Sequence, residues 1–197
     1  VSTAEAADAL TKSQAARRQR VLRAALELAS EGGYDAVQMR DVATRADVAL
    51  GTIYRYFTSK DHLLAAAMTE WVADLERRVN QRPAQGATTA ARVMHVLRRA
   101  LRAMDREPLL TSAVVSALCS GDEAAGQLLN EVTTIQARIM RPAFPDDIDE
   151  ATELALSKVL GHVWWSCLVS MASGVGGIDW VESELDTAAR LLLDSVD

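Results

Sequence analysis

Between Gly33 and Ser59 the helical periodicity comes in two short pieces, joined only by Asp47-Val48-Ala49. The first is expected over residues 39–46, with Val42 and Ala43 facing inward; the second runs to Phe57. Helices this short are marginal in water, so the pair must be braced by something longer. A brace precedes it: Val21, Leu22, Ala25, Leu28 and Ala29 recur at helical spacing, predicting a helix over residues 13–31. Ser13 is its expected cap and Gly32-Gly33 its stop. Two short helices with a tight turn, braced by a longer one, make a helix-turn-helix.

The remaining chain reads as helix throughout, so the fold class is all-α with about nine helices. After Ser59, a plausible cap, a long helix is expected over residues 60–82, and 83–88 (PAQGAT) form the clearest linker. Further helices are expected over 89–106, 108–119, 122–141, 149–173 and 178–196. The expected domains are a helix-turn-helix head over 13–59, a linking helix over 60–82 and a body over 83–197. Nearly half of the 197 residues are apolar, aromatics are few and β-branched runs are absent. No apolar run is read as reaching the roughly 18 residues of a membrane span. The start, VSTAEAADAL, carries an acidic residue where a signal peptide needs positive charge. Cys119 and Cys167 are far apart inside apolar patterns, which fits a reducing cytoplasm and no disulfide framework.

A net charge of −6 would disfavour nucleic acid, but the charge is uneven. Residues 12–60 hold nine basic against five acidic side chains, and residues from 61 onward hold twelve against twenty. A weakly basic head joins an acidic body.

In a helix-turn-helix the second helix enters the DNA major groove and offers its first residues to base edges. Those residues here are Ala49, Leu50, Gly51 and Thr52, small enough for close approach and able to touch thymine methyls. Tyr54 falls near the same face, and Tyr56, Arg55 and Lys60 are candidates for phosphate. Ile53 and Phe57, four apart, share the opposite face and anchor the helix. The competing reading makes the tyrosines half-buried rings and Arg55 an ordinary solvated or ion-paired charge.

The stretch GYDAVQMRDVATRADVALGTIYRYFTSKDHLL, with its G-x-x-Y-x-Y-F-x-S-K-x-x-L core, closely resembles the DNA-binding domain of TetR-family transcriptional regulators. The resemblance implies a homodimer that binds a double-stranded, near-palindromic operator and a small hydrophobic effector; no cofactor, metal or membrane is expected. It places Gln38 where the family usually has a phosphate-binding Thr or Ser, and Arg40 within reach of DNA. Ala49, Leu50, Gly51, Thr52 and Tyr54 take the recognition positions; Tyr56 and Lys60 take backbone-contact positions. Asp47 stands where glycine is usual, and Ala49 and Leu50 replace the commoner Ser and Lys. Arg17, Arg18 and Arg20 either compensate for that missing charge or form a solvated face.

The body resembles the family in plan: helices around a ligand cavity, the last two forming a dimer interface. Apolar candidates for the cavity are Met94, Leu97, Leu101, Met104, Leu110 and Val114, with Leu118, Met140, Phe144, Trp164 and Met171. Each of them is equally compatible with ordinary core. Dimer candidates are Val163, Leu185, Ala188 and Leu192, because the helix over 149–173 has an apolar face too wide for one partner. The head sequence and REPLLTSAVVSA from Arg106 look most like the actinobacterial repressors of steroid catabolism. That implies a bulky effector such as a steroid or its coenzyme A thioester. Arg98, Arg99 and Arg102 are placed either to attract such an anion or to form a solvated helix face.

An enzyme is the second class considered. His62, His95 and His162 are scattered and none has metal or triad spacing; GVGG at Gly174 follows a helix, not a strand. A helical interaction protein that keeps the fold without binding DNA is the third.

Overall fold

A computed structural model describes residues 3–194 and 196. Among them are nine α-helices and one 3-10 turn, and no strand. The head comprises α1 (Thr3–Ala36), α2 (Met39–Arg45) and α3 (Leu50–Tyr56), and α4 (Lys60–Asn80) leads into the body. The body holds α5 (Thr89–Asp105), α6 (Pro108–Leu118), α7 (Glu123–Met140), the 3-10 turn Arg141–Ala143, α8 (Glu150–Ala172) and α9 (Ile178–Leu193).

Helix α1 starts ten residues before the expected cap, so Ser13 lies exposed in mid-helix and caps nothing. Polar, alanine-rich sequence propagates the helix at its N-terminal side, where no apolar periodicity signalled it. The expected stop is real: Gly32 and Gly33 leave helical geometry, Gly33 at φ 70°, before one more turn closes at Ala36. Elsewhere caps set the ends. The Ser59 hydroxyl accepts from His62 N at 2.9 Å, Thr88 from Ala91 N at 3.1 Å, and Asp149 from Thr152 N at 2.9 Å.

Two apolar cores result. The head core gathers Leu22, Ala25, Val42, Ile53, Phe57, Leu63 and Leu64, and it also takes in Ala113 and Ala117 of α6. Small residues on α6 let it lie close against α1, so part of the body is built into the head. The body core runs from Met68 and Val72 of α4 through Leu97 and Leu101 to Trp164, Leu168 and Leu185.

Helix α8 is long and apolar enough, by length and composition, to cross a membrane, which the sequence reading did not register. Its Lys158 and His162 break the run without lowering the average enough. In the fold α8 packs against α6, α7 and α9. Leu185 is a correction: it is 0% exposed inside the protomer, on an inward stripe with Val181, Ala189 and Leu193, and cannot reach a partner. The other dimer candidates on α9, Ala188 and Leu192, stand one residue off this stripe and lie half-buried at its edge.

Candidate DNA interface and effector cavity

The turn before α3 uses a left-handed residue, Asp47 at φ 51°, the only non-glycine with positive φ among the described residues. Ile53 and Phe57 are buried and pin α3 to the head core. The opposite side is bare: Ala49, Gly51, Tyr54 and Arg55 are exposed, with Tyr54 at 52%, while Leu50, Thr52 and Tyr56 are half-buried. A Cβ on Gly51 would meet nothing within 4 Å. Intrachain packing therefore makes no demand for glycine there; what it provides is a low surface.

Most of the cations around this face are engaged within the chain. Arg18 pairs with Glu70 at 2.8 Å and lies over the Phe57 ring, and Arg20 Nε donates to Ala46 O at 3.1 Å. Both therefore fasten α1 to its neighbours. Arg45 forks onto Glu31 at 2.6 and 2.8 Å. The ammonium of Lys60 sits 3.6 Å from the centre of the Tyr34 ring and donates to Tyr34 O. Gln38 Nε2 donates to Asp35 O at 2.9 Å, and Arg55 stacks on Tyr56 while donating to its hydroxyl. The exposed Arg40 guanidinium has no intrachain partner among the described residues.

Head and body meet at a polar clasp. Asp122 caps α7 by accepting from Ala125 N at 2.9 Å, and its other oxygen accepts from the Ser59 hydroxyl at 2.8 Å. The caps of α4 and α7 are thus bonded to each other. The Ala125 N–H first, and then the Ser59 hydroxyl, hold the Asp122 carboxyl below its usual range.

Inside the body, three voids share the Met68 side chain as a wall. One of about 40 Å³ lies among Leu26, Trp71, Met104, Leu110, Val114 and Trp165. Another of about 40 Å³ lies among Trp71, Leu97, Met104, Gln136 and Trp164. The largest, about 210 Å³, runs between α7 and α8 past Leu118, Thr133, Gln136, Lys158, His162 and Trp164. It shares Asn130, Thr133 and Lys158 with an open groove of about 770 Å³ that also carries Arg138, Arg141, Glu150 and Glu153.

Of the expected cavity residues, Leu97, Met104, Leu110, Val114, Leu118 and Trp164 line these voids. Met94, Leu101, Met140 and Phe144 are instead close-packed core, and Met171 lines none of the three. Sequence reasoning missed Met68 and Trp71, since α4 was read only as a linker, and it missed Gln136. A signal for Gln136 existed: it interrupts the apolar spacing of Val132, Ile135 and Ile139. Arg98, which pairs with Glu182 and Asp186, and Arg99, which donates to Arg78 O, line none of the three voids, and neither does Arg102.

Residues 21–67 match the family model for bacterial regulatory proteins of the tetR family, and residues 86–192 match the tetracyclin repressor-like C-terminal domain. The chain belongs to the TetR family of transcriptional regulators. Among TetR-family relatives, the HTH-type transcriptional repressor KstR of Rhodococcus jostii is 39% identical over 94% of this chain and 87% of its own length. The crystal structure of a TetR regulator from Rhodococcus sp. RHA1 superposes with a TM-score of 0.83 at 32% identity, covering 94% of this chain and all of that one. Thermus thermophilus FadR in complex with lauroyl-CoA has a TM-score of 0.70 at 23% identity, over 89% and 92% of the two chains, and shares the fold.

Proposed function

We propose that this chain is a homodimeric repressor that holds a near-palindromic operator until a bulky apolar effector, a steroid or an acyl-coenzyme A thioester, releases it. The observation that carries the DNA half is the bare face of α3, with Ala49, Gly51 and Tyr54 exposed opposite the anchors Ile53 and Phe57. Gly51 and Ala49 let the backbone approach base edges; Leu50 and Thr52 offer methyl contacts; Tyr54 reaches base or phosphate. Gln38, Arg40, Tyr56 and Lys60 set register on the phosphates, Lys60 and Gln38 exchanging intrachain partners for phosphate oxygens. In the dimer, exposed apolar side chains of α8 and α9 cover one another: Leu154 (61% exposed), Val159 and Leu191 (81%), flanked by Val163, Ala188 and Leu192.

The effector occupies the voids around Met68. Even the largest is below the roughly 300–1,000 Å³ of ordinary ligand sites. Binding therefore swings Met68, and with it the indoles of Trp71, Trp164 and Trp165, to merge the three spaces; methionine's flexible thioether makes this cheap. Because Met68 and Trp71 lie on α4, a filled cavity displaces the helix that carries the head. KstR is named as a repressor, which supports repression, and the FadR neighbour was solved with lauroyl-CoA, which supports the acyl-thioester class of effector.

The test is a gel shift with DNA from immediately upstream of the gene and, if needed, with sites drawn from a genome-wide selection. Wild type should bind, with affinity falling steeply as salt rises. Tyr54→Ala should bind about tenfold or more weakly, the loss of one contact worth roughly 1–3 kcal/mol. Steroid or fatty acyl thioesters should release wild type. A folded protein that selects no DNA at low salt would leave the interaction-protein reading in its place.

A further inference from the structure

The wall between α7 and α8 contains a donor that the fold leaves unused. Val132, Ile135 and Ile139 form an inward apolar stripe on α7, and Gln136 stands within it. Gln136 lines both the void against α4 and α5 and the larger one against α8. Its Nε2 is buried and has no hydrogen-bond partner. Across the seam stands Gly161, where a Cβ would lie 3.5 Å from Gln136 Oε1, so the amide rests against α8 with no side chain between.

A buried amide N–H forfeits its hydration and normally recovers it by bonding elsewhere. Here no acceptor of the wall stands in bonding position to it, although Asn130 and His162 line the same void. The Thr133 hydroxyl directs its proton to Leu129 O at 2.9 Å, and neither it nor the buried Ser157 hydroxyl of α8 accepts from Gln136 Nε2. Met68, Trp164 and Leu168, which link this void to its neighbours, carry no oxygen acceptor in their side chains. Fixed donors inside apolar cavities are how such sites orient and select ligands. The donor is a neutral amide, and no cation lines the void that Gln136 shares with α4 and α5; of its two voids, Lys158 and His162 line only the larger, against α8. On the α4–α5 side a carboxylate would lose its hydration with no counter-charge, at far greater cost than a neutral carbonyl bonded to the amide.

We propose that Gln136 is the specificity-determining anchor of the effector cavity, donating from Nε2 to a neutral carbonyl oxygen on an otherwise apolar ligand. The proposal rests on the effector reading above. It adds that the ligand carries a ketone- or ester-type oxygen inside the cavity.

The probes are 5α-androstan-3-one and 5α-androstane, one ring system with and without a carbonyl. Binding is followed by tryptophan fluorescence of the full chain, since Trp71, Trp164 and Trp165 line the voids. Wild type should bind the ketone about 5- to 10-fold more tightly than the hydrocarbon, the worth of one net hydrogen bond. In Gln136→Met, of similar length and without a donor, that ratio should fall to about one through loss of ketone affinity alone. The ligand-free melting midpoint of Gln136→Met should be no lower than wild type, because no existing bond is removed; a merely structural glutamine would lower it. A ratio near one in wild type, or one that survives in Gln136→Met, overturns the assignment and leaves the effector cavity standing. Failure of both probes to bind wild type overturns the cavity reading and the anchor with it.

Discussion

The clasp between Ser59 and Asp122 predicts a measurable energetic coupling between the DNA-binding head and the body. Each residue has two roles. Ser59 caps α4 and donates to Asp122; Asp122 caps α7 and accepts from Ser59. Losing a cap to alanine costs about 1 kcal/mol. The bond between them is charge-assisted but near the surface, so about 1 kcal/mol is a fair figure for it as well. Ser59→Ala and Asp122→Ala should therefore each destabilise by about 2 kcal/mol. The double variant should lose about 3 kcal/mol, not 4, because the shared bond can be removed only once.

The assay is urea unfolding of all four proteins at one protein concentration, which matters because a dimer's stability depends on it. Neutral pH is the right condition. The Asp122 carboxyl lies below its usual range in the fold, so its contribution is complete above the unfolded value of about 4 and fades as pH falls through the lower folded value. Asp122→Asn should keep most of the α7 cap, since asparagine caps about as well as aspartate. Two single losses that add to the double within about 0.3 kcal/mol would refute the coupling. The caps would then be independent, and the contact would be an incidental neighbour.

Tyr34 offers a pH test. Burial first, then its bond to Asp61 at 2.6 Å, pushes its phenol up to about 12. A raised acid favours the protonated fold, so its stabilisation is whole below the unfolded value of about 10 and is lost between there and 12. Tyr34→Phe, which keeps the ring beneath Lys60, should flatten that alkaline fall relative to wild type in chemical denaturation. At Asp47, in the left-handed region, Asp47→Ala should destabilise by about 1 kcal/mol, whereas Asp47→Gly should not lower the melting midpoint.

The sequence reading reached the fold class through features that act locally. Glycine pairs, prolines in first turns and three- to four-residue spacing decide where a helix starts and stops without reference to distant chain. The exposed face of α3 was legible for the same reason: Ile53 and Phe57 identify the buried side, and what remains faces out. The unexpected length of α1 follows from the same logic in reverse, because alanine-rich polar sequence forms helix without an apolar stripe to announce it.

What escaped was set by partners in space. Arg18 and Arg20 look alike in the sequence, yet one meets Glu70 across the head and the other a carbonyl at the end of α2. No spacing rule separates such residues from phosphate ligands. The same holds for the cavity. Met94 and Met104 lie on one helix with equal apolar character, and of the two only Met104 borders any of the three voids around Met68, because a void is what remains after all the helices have packed. Gln136 is the instructive exception. A polar residue inside an apolar stripe either finds a partner within the fold or keeps its donor for something outside it. The sequence poses that alternative at position 136, and the unpaired Nε2 at the α7–α8 seam favours the second answer.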